Sequence, residues 1–316
     1  RGANMANGAR KVAVIGAGNV GATCAFVLAE RKVGEVVLLD IYEGFAKGKA
    51  LDMSQGGRIL NYDGLVSGTK DYGDISGSDV VVVTSGFPRQ PGMSREDLIG
   101  KNADIISQVG SGIKEHAPDA VVVMVTNPLD LMTYHMQKIT GFPASRVVGQ
   151  AGILDSARMT HFIAEAVGCS NEDVQAMVLG GHGDTMVPLP RYTTVNGIPI
   201  TQLLDSGEIE AICARTAGGG GEIVKLLERG SAFYAPGSAA AIMAESILFD
   251  RKRVLPCSAY LTGQYGMDDI YIGVPVVLGK DGVERIIELE LEDSELESLQ
   301  GSGAFYREQL SSILGY

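Results

Sequence analysis

The sequence predicts an α/β fold in which a doubly wound parallel sheet is followed by a mixed α+β domain. Three observations predict it: continuous β-branched runs, helix-length segments between them, and a change of pattern near residue 150. The runs are KVAVI (11–15), EVVLL (35–39), VVVVT (80–84), VVVMV (121–125) and RVVG (146–149), and a weaker strand near Leu65 to Thr69 brings the count to six. Strands that are apolar on successive residues are buried on both faces, as in a parallel sheet covered by helices. Between the first two, Val20, Cys24, Val27 and Leu28 recur at helical spacing, which places one apolar stripe against the sheet.

The βαβ unit so formed is of Rossmann type, and its first turn carries chemistry. Gly16-Ala17-Gly18-Asn19-Val20-Gly21 is a GxGxxG directly after a strand and directly before a helix. Gly16 permits the tight turn, Gly18 lets a pyrophosphate approach the backbone, and Gly21 lets helix and strand pack closely. The helix N-terminus then offers free N–H groups and a partial positive charge to the phosphates. Asp40 ends the second strand nineteen residues after Gly21, where a carboxylate accepts hydrogen bonds from a ribose 2′-OH and repels a 2′-phosphate. NAD is therefore expected over NADP, the plain alternative being that Asp40 only caps a turn. Gly86 and Asn127 follow the fourth and fifth strands, at the carboxyl ends where open α/β sheets bind ligands, and are expected cofactor neighbours.

After residue 150 we expect a helix over Ile153 to Val167, a strand over Gln175 to Leu179 and a strand-like stretch around Asn196-Gly197. The run Gly218 to Gly221 is expected to precede another helix, and KDGVERIIELELEDSELESLQ reads as a hairpin turn followed by an acidic helix. This divides the chain into a dinucleotide domain, 1–150, and a catalytic α+β domain, 151–316, with no long linker between them, so a fixed interface is expected. Residues 1–4, ahead of Met5, are expected to precede the natural start.

A formal charge of −12 argues against nucleic acid and anionic membrane surfaces as partners. The apolar runs fall far short of the roughly 20 residues that cross a bilayer. Four cysteines with no CxxC spacing indicate neither a disulfide framework nor a metal site, and a reducing, cytoplasmic setting is expected. Any anionic substrate must meet its own local cluster of positive charge.

Such a cluster is present. The loop SGFPRQPGMSREDLIGKN carries Arg89 and Arg95, and with its glycines it can close as a lid over bound substrate, the alternative being a solvated basic loop. In ILDSAR, Asp155 and Arg158 stand at i, i+3 on one helix face, either as a surface ion pair or as functional groups. Arg158 can grip a carboxylate through two parallel N–H bonds, and Asp155 can orient an imidazole. That imidazole is His182, which lies in the glycine-flanked turn LGGHGDT, whereas His116, His135 and His161 lie in helical stretches. Histidine suits reversible proton exchange near neutrality, although a turn histidine bonded to backbone would read the same way.

Taken together, VIGAGNVG, SGFPRQPGMSREDL, VTNPLD, ILDSAR and GGHGDTMVP resemble the lactate and malate dehydrogenase family, in particular its lactate-dehydrogenase-like, bacterial-type malate branch, from about Lys11 to the C-terminus. The resemblance implies that His182 is the acid/base, Asp155 its partner and Arg158 the anchor of the C1 carboxylate. It implies that Arg95 polarises the reacting carbonyl, that Asn127 orients substrate beside the nicotinamide, and that Asn102 and Val125 line the cofactor site. At the position of Arg89, lactate enzymes of the family carry Gln and malate enzymes Arg. Enclosing that arginine over a monocarboxylate would leave it unpaired at a cost of about 3–5 kcal/mol, so malate and oxaloacetate are expected, with a lactate dehydrogenase or a relaxed 2-oxo-acid reductase as the alternative. A homo-oligomer, a tetramer in preference to a dimer, is also implied.

Overall fold

The computed structural model describes residues 10–87 and 94–316. The first half runs β1 (Lys11–Ile15), α1 (Asn19–Glu30), β2 (Glu35–Leu39), α2 (Glu43–Leu60), β3 (Val66–Thr69), β4 (Val80–Val83), α3 (Arg95–His116), β5 (Val121–Met124), α4 (Leu129–Thr140) and β6 (Val147–Gly149). The second half runs α5 (Gly152–Val167), β7 (Val174–Gln175), β8 (Val178–Gly180), β9 (Met186–Pro188), β10 (Thr194–Val195), β11 (Ile198–Pro199), α6 (Ser206–Leu227), α7 (Tyr234–Leu248), β12 (Arg253–Thr262), β13 (Asp268–Gly279), β14 (Gly282–Ile286) and α8 (Asp293–Gln309).

All six expected strands of the first half form, in the parallel order β3-β2-β1-β4-β5-β6. Their apolar runs are the centre of the core: every residue of β1 after Lys11, of β2 after Glu35, of β4 and of β5 is at most 2% exposed. The order reverses between β1 and β4. Ile15 pairs with both Leu39 and Val83, so the carboxyl ends of β1, β2 and β4 lie level and open a crevice at the switch point.

The sheet does not stop at β6. Ser258 of β12 pairs with Gly149 of β6, and the antiparallel strands continue in the order β12-β13-β8-β9, with β14 beside β13. Gly273 is obligatory in this extension, because a Cβ there would lie 2.4 Å from the Gly180 carbonyl. The loop that follows β8, beginning at Gly181, is thereby tied to the same framework as the crevice.

Two details differ from the sequence reading. The stretch Gln175 to Leu179 is not one strand, because β7 joins a small sheet with β10 and β11 while β8 joins the large one. At the break the Met177 amide donates to the Thr193 hydroxyl oxygen, and the Val178 amide donates to that of Ser156. Gly218 to Gly221 lie inside α6 rather than before a helix. Four such glycines cost about 4 kcal/mol relative to alanine. Close packing is the compensation: a Cβ on Gly219 would lie 3.2 Å from Cδ of Arg158, so α6 reaches the Arg158 side chain only because it is bare there.

Candidate active site

The glycine turn is built as a close-packed corner with an open face. A Cβ on Gly21 would stand 1.8 Å from the Gly16 carbonyl oxygen, and one on Gly16 would stand 2.7 Å from Oγ1 of Thr84, whereas one on Gly18 would meet nothing within 4 Å. Gly16, at φ +104°, also needs glycine for its conformation. The Thr84 hydroxyl donates to the Gly16 carbonyl at 3.0 Å and stitches the turn to β4. Gly18 caps α1 without a side-chain acceptor, so the first-turn amides are left to a ligand. Gly18 and Asn19 are exposed, Val20 is half-buried, and Ala17 is buried.

Asp40 both caps and remains available. Its Oδ2 accepts the Ala17 amide at 2.8 Å and its Oδ1 the Tyr42 amide at 2.9 Å. Each carboxylate oxygen keeps a further lone pair for a ribose hydroxyl. Across the crevice Gly86 is exposed and Val125 is buried. Asn102 is 2% exposed, and its amide is spent on bracing: Oδ1 accepts the Phe87 amide at 2.6 Å and Nδ2 donates to the Asn127 carbonyl at 2.7 Å. It joins the loops after β4 and β5 from behind, while Asn127 itself is exposed. An open helix N-terminus beside a carboxylate with unused lone pairs fits a dinucleotide such as NAD.

At the other end of the crevice the structure brings His182, Asp155 and Arg158 together. Asp155 lies in the first turn of α5, where the helix dipole favours its negative charge, and its side chain is 2% exposed. Its Oδ2 lies 2.9 Å from Nδ1 of His182, and its Oδ1 accepts Nη1 of Arg158 at 3.1 Å. With side-chain exposures of 14% for His182 and 15% for Arg158, neither contact is the surface ion pair of the plainer reading. A carboxylate only accepts, so Nδ1 carries a proton and Nε2 is left to titrate. Burial alone would push the imidazole down. The charge and hydrogen bond of Asp155, helped by Asp130 and opposed by Arg158, overrule burial and hold the imidazole above its ordinary value.

Four residues around His182 went unrecognised in the sequence. Asp130 accepts the His182 amide at 3.0 Å and the Ser258 hydroxyl at 2.6 Å. The Ser302 hydroxyl oxygen accepts the Gly181 amide at 2.9 Å, and the Tyr306 hydroxyl donates to the His182 carbonyl at 3.3 Å. The loop is held at its backbone by α4 and α8, and Ser258 of β12 braces Asp130. Asp130 alone had a signal, as the last residue of VTNPLD. Arg89 lies outside the described residues, and Arg95 enters them as the first residue of α3, by its backbone. Among the described residues no cluster of His, Cys, Asp or Glu is suited to a metal.

The fold and the site define a dinucleotide-binding α/β protein with an imidazole–carboxylate pair beside a buried cation. Family models give it a place: the NAD-binding domain of lactate/malate dehydrogenases matches residues 10–149, and their alpha/beta C-terminal domain matches residues 153–314. The chain belongs to the lactate/malate dehydrogenase family. It is 57% identical to malate dehydrogenase 1 of Anaeromyxobacter dehalogenans over 93% of this chain and 95% of that protein. It is 54% identical to the malate dehydrogenase of Methanosarcina barkeri over 96% of this chain and 99% of that one. Among solved structures, the malate dehydrogenase of Salinibacter ruber superposes with a TM-score of 0.92 at 51% identity, covering 96% of this chain and 97% of its own. The lactate dehydrogenase of Cryptosporidium parvum, bound to lactic acid and nicotinamide adenine dinucleotide, has the same TM-score of 0.92 at 42% identity, covering 97% and 98%. The backbone is common to both activities, and the side chains must separate them.

Proposed function

We propose that this chain is an NAD-dependent malate dehydrogenase that interconverts (S)-malate and oxaloacetate. The observation that carries the reading is Asp155, buried and bonded at once to His182 and Arg158, because one carboxylate on α5 then fixes the proton-exchanging ring and the carboxylate-binding cation relative to each other. The dicarboxylate is supported by Arg89 in the sequence and by relatives of that name at 52–57% identity.

NAD, when bound by Gly16 to Gly21, Asp40, Gly86, Val125 and Asn127, supplies the hydride acceptor or donor. In oxidation, Nε2 of neutral His182 takes the hydroxyl proton, and Asp155 stabilises the imidazolium that results. In reduction, the imidazolium returns the proton to the developing alkoxide. Arg158 holds the C1 carboxylate, Arg95 polarises the carbonyl, Arg89 pairs with the second carboxylate, and Asn127 orients the substrate. The division of labour falls near residue 150, with the cofactor on 1–150 and the acid/base helix and loop on 151–316.

A cytoplasmic setting is supported by four unpaired cysteines, Cys24, Cys169, Cys213 and Cys257, and the reaction suits the tricarboxylic acid cycle. A homo-oligomer is supported by the apolar stripe on α2, where Phe45, Leu51, Ile59 and Leu60 are about half or more exposed, and a tetramer is favoured by the family resemblance. The direct test is purified protein supplied with NADH and oxaloacetate, then with NAD and (S)-malate. Turnover in both directions is expected. NADH binding without turnover in either direction would refute the reading.

A further inference from the structure

His182 is flanked by a second carboxylate that the reaction scheme leaves without a task. Asp130 stands in the first turn of α4 and is 1% exposed. It comes from a different helix than Asp155, and both of its oxygens are engaged: Oδ2 with the His182 amide and Oδ1 with the Ser258 hydroxyl. A loop amide could be satisfied by any carbonyl. Burying a carboxylate there carries a desolvation cost that an uncharged acceptor would avoid, and calls for a compensating role.

We propose that Asp130 is a positioning residue for the acid/base step, fixing the His182 main chain and acting as a second buried anion that favours the imidazolium. This rests on the reading of His182 as the proton carrier. The groups around His182 are Asp155 of α5 on its ring, Arg158 of α5 on Asp155, Asp130 of α4 on its amide and the Tyr306 hydroxyl of α8 on its carbonyl, with exposed Asp184 further along the same loop. Arg158 opposes protonation and Asp155 favours it. Asp130 adds to the effect of Asp155. Burial pushes its own carboxyl up, and the hydrogen bonds from Ser258 and the His182 amide, with the start of α4, work in the other direction.

The test compares wild type with Asp130→Asn, which retains an acceptor for the His182 amide and removes the charge. The His182 ring is titrated by NMR in the free protein, and oxaloacetate reduction is measured across pH. The His182 midpoint is expected to fall, and kcat on the alkaline side to drop by about tenfold with a smaller change in KM. Should Asp130→Asn fail to fold, Ser258→Ala removes one donor and makes Asp130 harder to ionise. The His182 midpoint then falls by less. An unmoved midpoint in the variant that folds overturns the proposal. The titration needs no substrate, so a midpoint lowered by Asp130→Asn together with a wild type that does not turn over oxaloacetate would sink the reading of the reaction and leave only the effect of Asp130 on the His182 ring.

Discussion

His182 Nδ1 lies 2.9 Å from Oδ2 of Asp155, a contact made across 27 residues of chain and buried on both sides. It fixes which ring nitrogen is free. Replacing His182 with Asn keeps a polar side chain of similar reach and removes the titrating nitrogen. Turnover is expected to fall by about 10²- to 10⁴-fold. NADH affinity, read by fluorescence titration, should stay at the wild-type value. Retained turnover would remove His182 from the chemistry.

The raised proton affinity of His182 sets opposite pH dependences for the two directions. Reduction needs the imidazolium, so its kcat/KM is high below the His182 pKa and falls as pH rises through it. Oxidation needs the neutral ring and gains over the same range. Both midpoints should lie on the alkaline side of an ordinary histidine, and profiles sloping the same way would contradict the assignment.

Asp40 couples the glycine turn to the start of α2 through the Ala17 and Tyr42 amides. Asp40→Ala removes those acceptors and the negative charge that opposes a 2′-phosphate. KM for NADH should rise by about tenfold, the value of one or two lost hydrogen bonds, and the discrimination against NADPH should narrow. Unchanged cofactor preference would return Asp40 to a purely structural role.

Gly21→Ala places a methyl group where the Gly16 carbonyl oxygen already stands. The corner must open, at a cost of about 1–3 kcal/mol in stability, and the phosphate-binding amides move with it. Thermal denaturation should show a lower Tm together with weaker NADH binding. Gly18→Ala, which meets nothing within 4 Å in the protein alone, should leave Tm in place and weaken NADH binding.

The central parallel strands β1, β2, β4 and β5 were readable residue by residue because strands buried on both faces are apolar at nearly every position. The divided strand at Val174 to Gly180 was not, since composition does not show where a segment changes sheets. Nor was the helical path through Gly218 to Gly221: local propensity counts against it, and the packing on Arg158 that favours it lies sixty residues away in the chain. Within the site, His182, Asp155 and Arg158 stood out by residue type and setting. Asp130 did not, because an aspartate at a helix start is ordinary, and its contact with His182 spans 52 residues.

We propose that substrate choice turns on Arg89, a residue chosen from the sequence alone. Arg89→Gln removes the cation assigned to the second carboxylate, and preference should move from oxaloacetate toward pyruvate. Efficiency on oxaloacetate that survived the change would assign specificity elsewhere.

The most direct measurement is kcat/KM for oxaloacetate against pyruvate, with NADH, on the unmodified protein. Enclosing an arginine without a carboxylate partner costs about 3–5 kcal/mol, so if Arg89 pairs with the second carboxylate, oxaloacetate should be favoured by at least about 10²-fold. Equal or greater efficiency on pyruvate would contradict the malate reading.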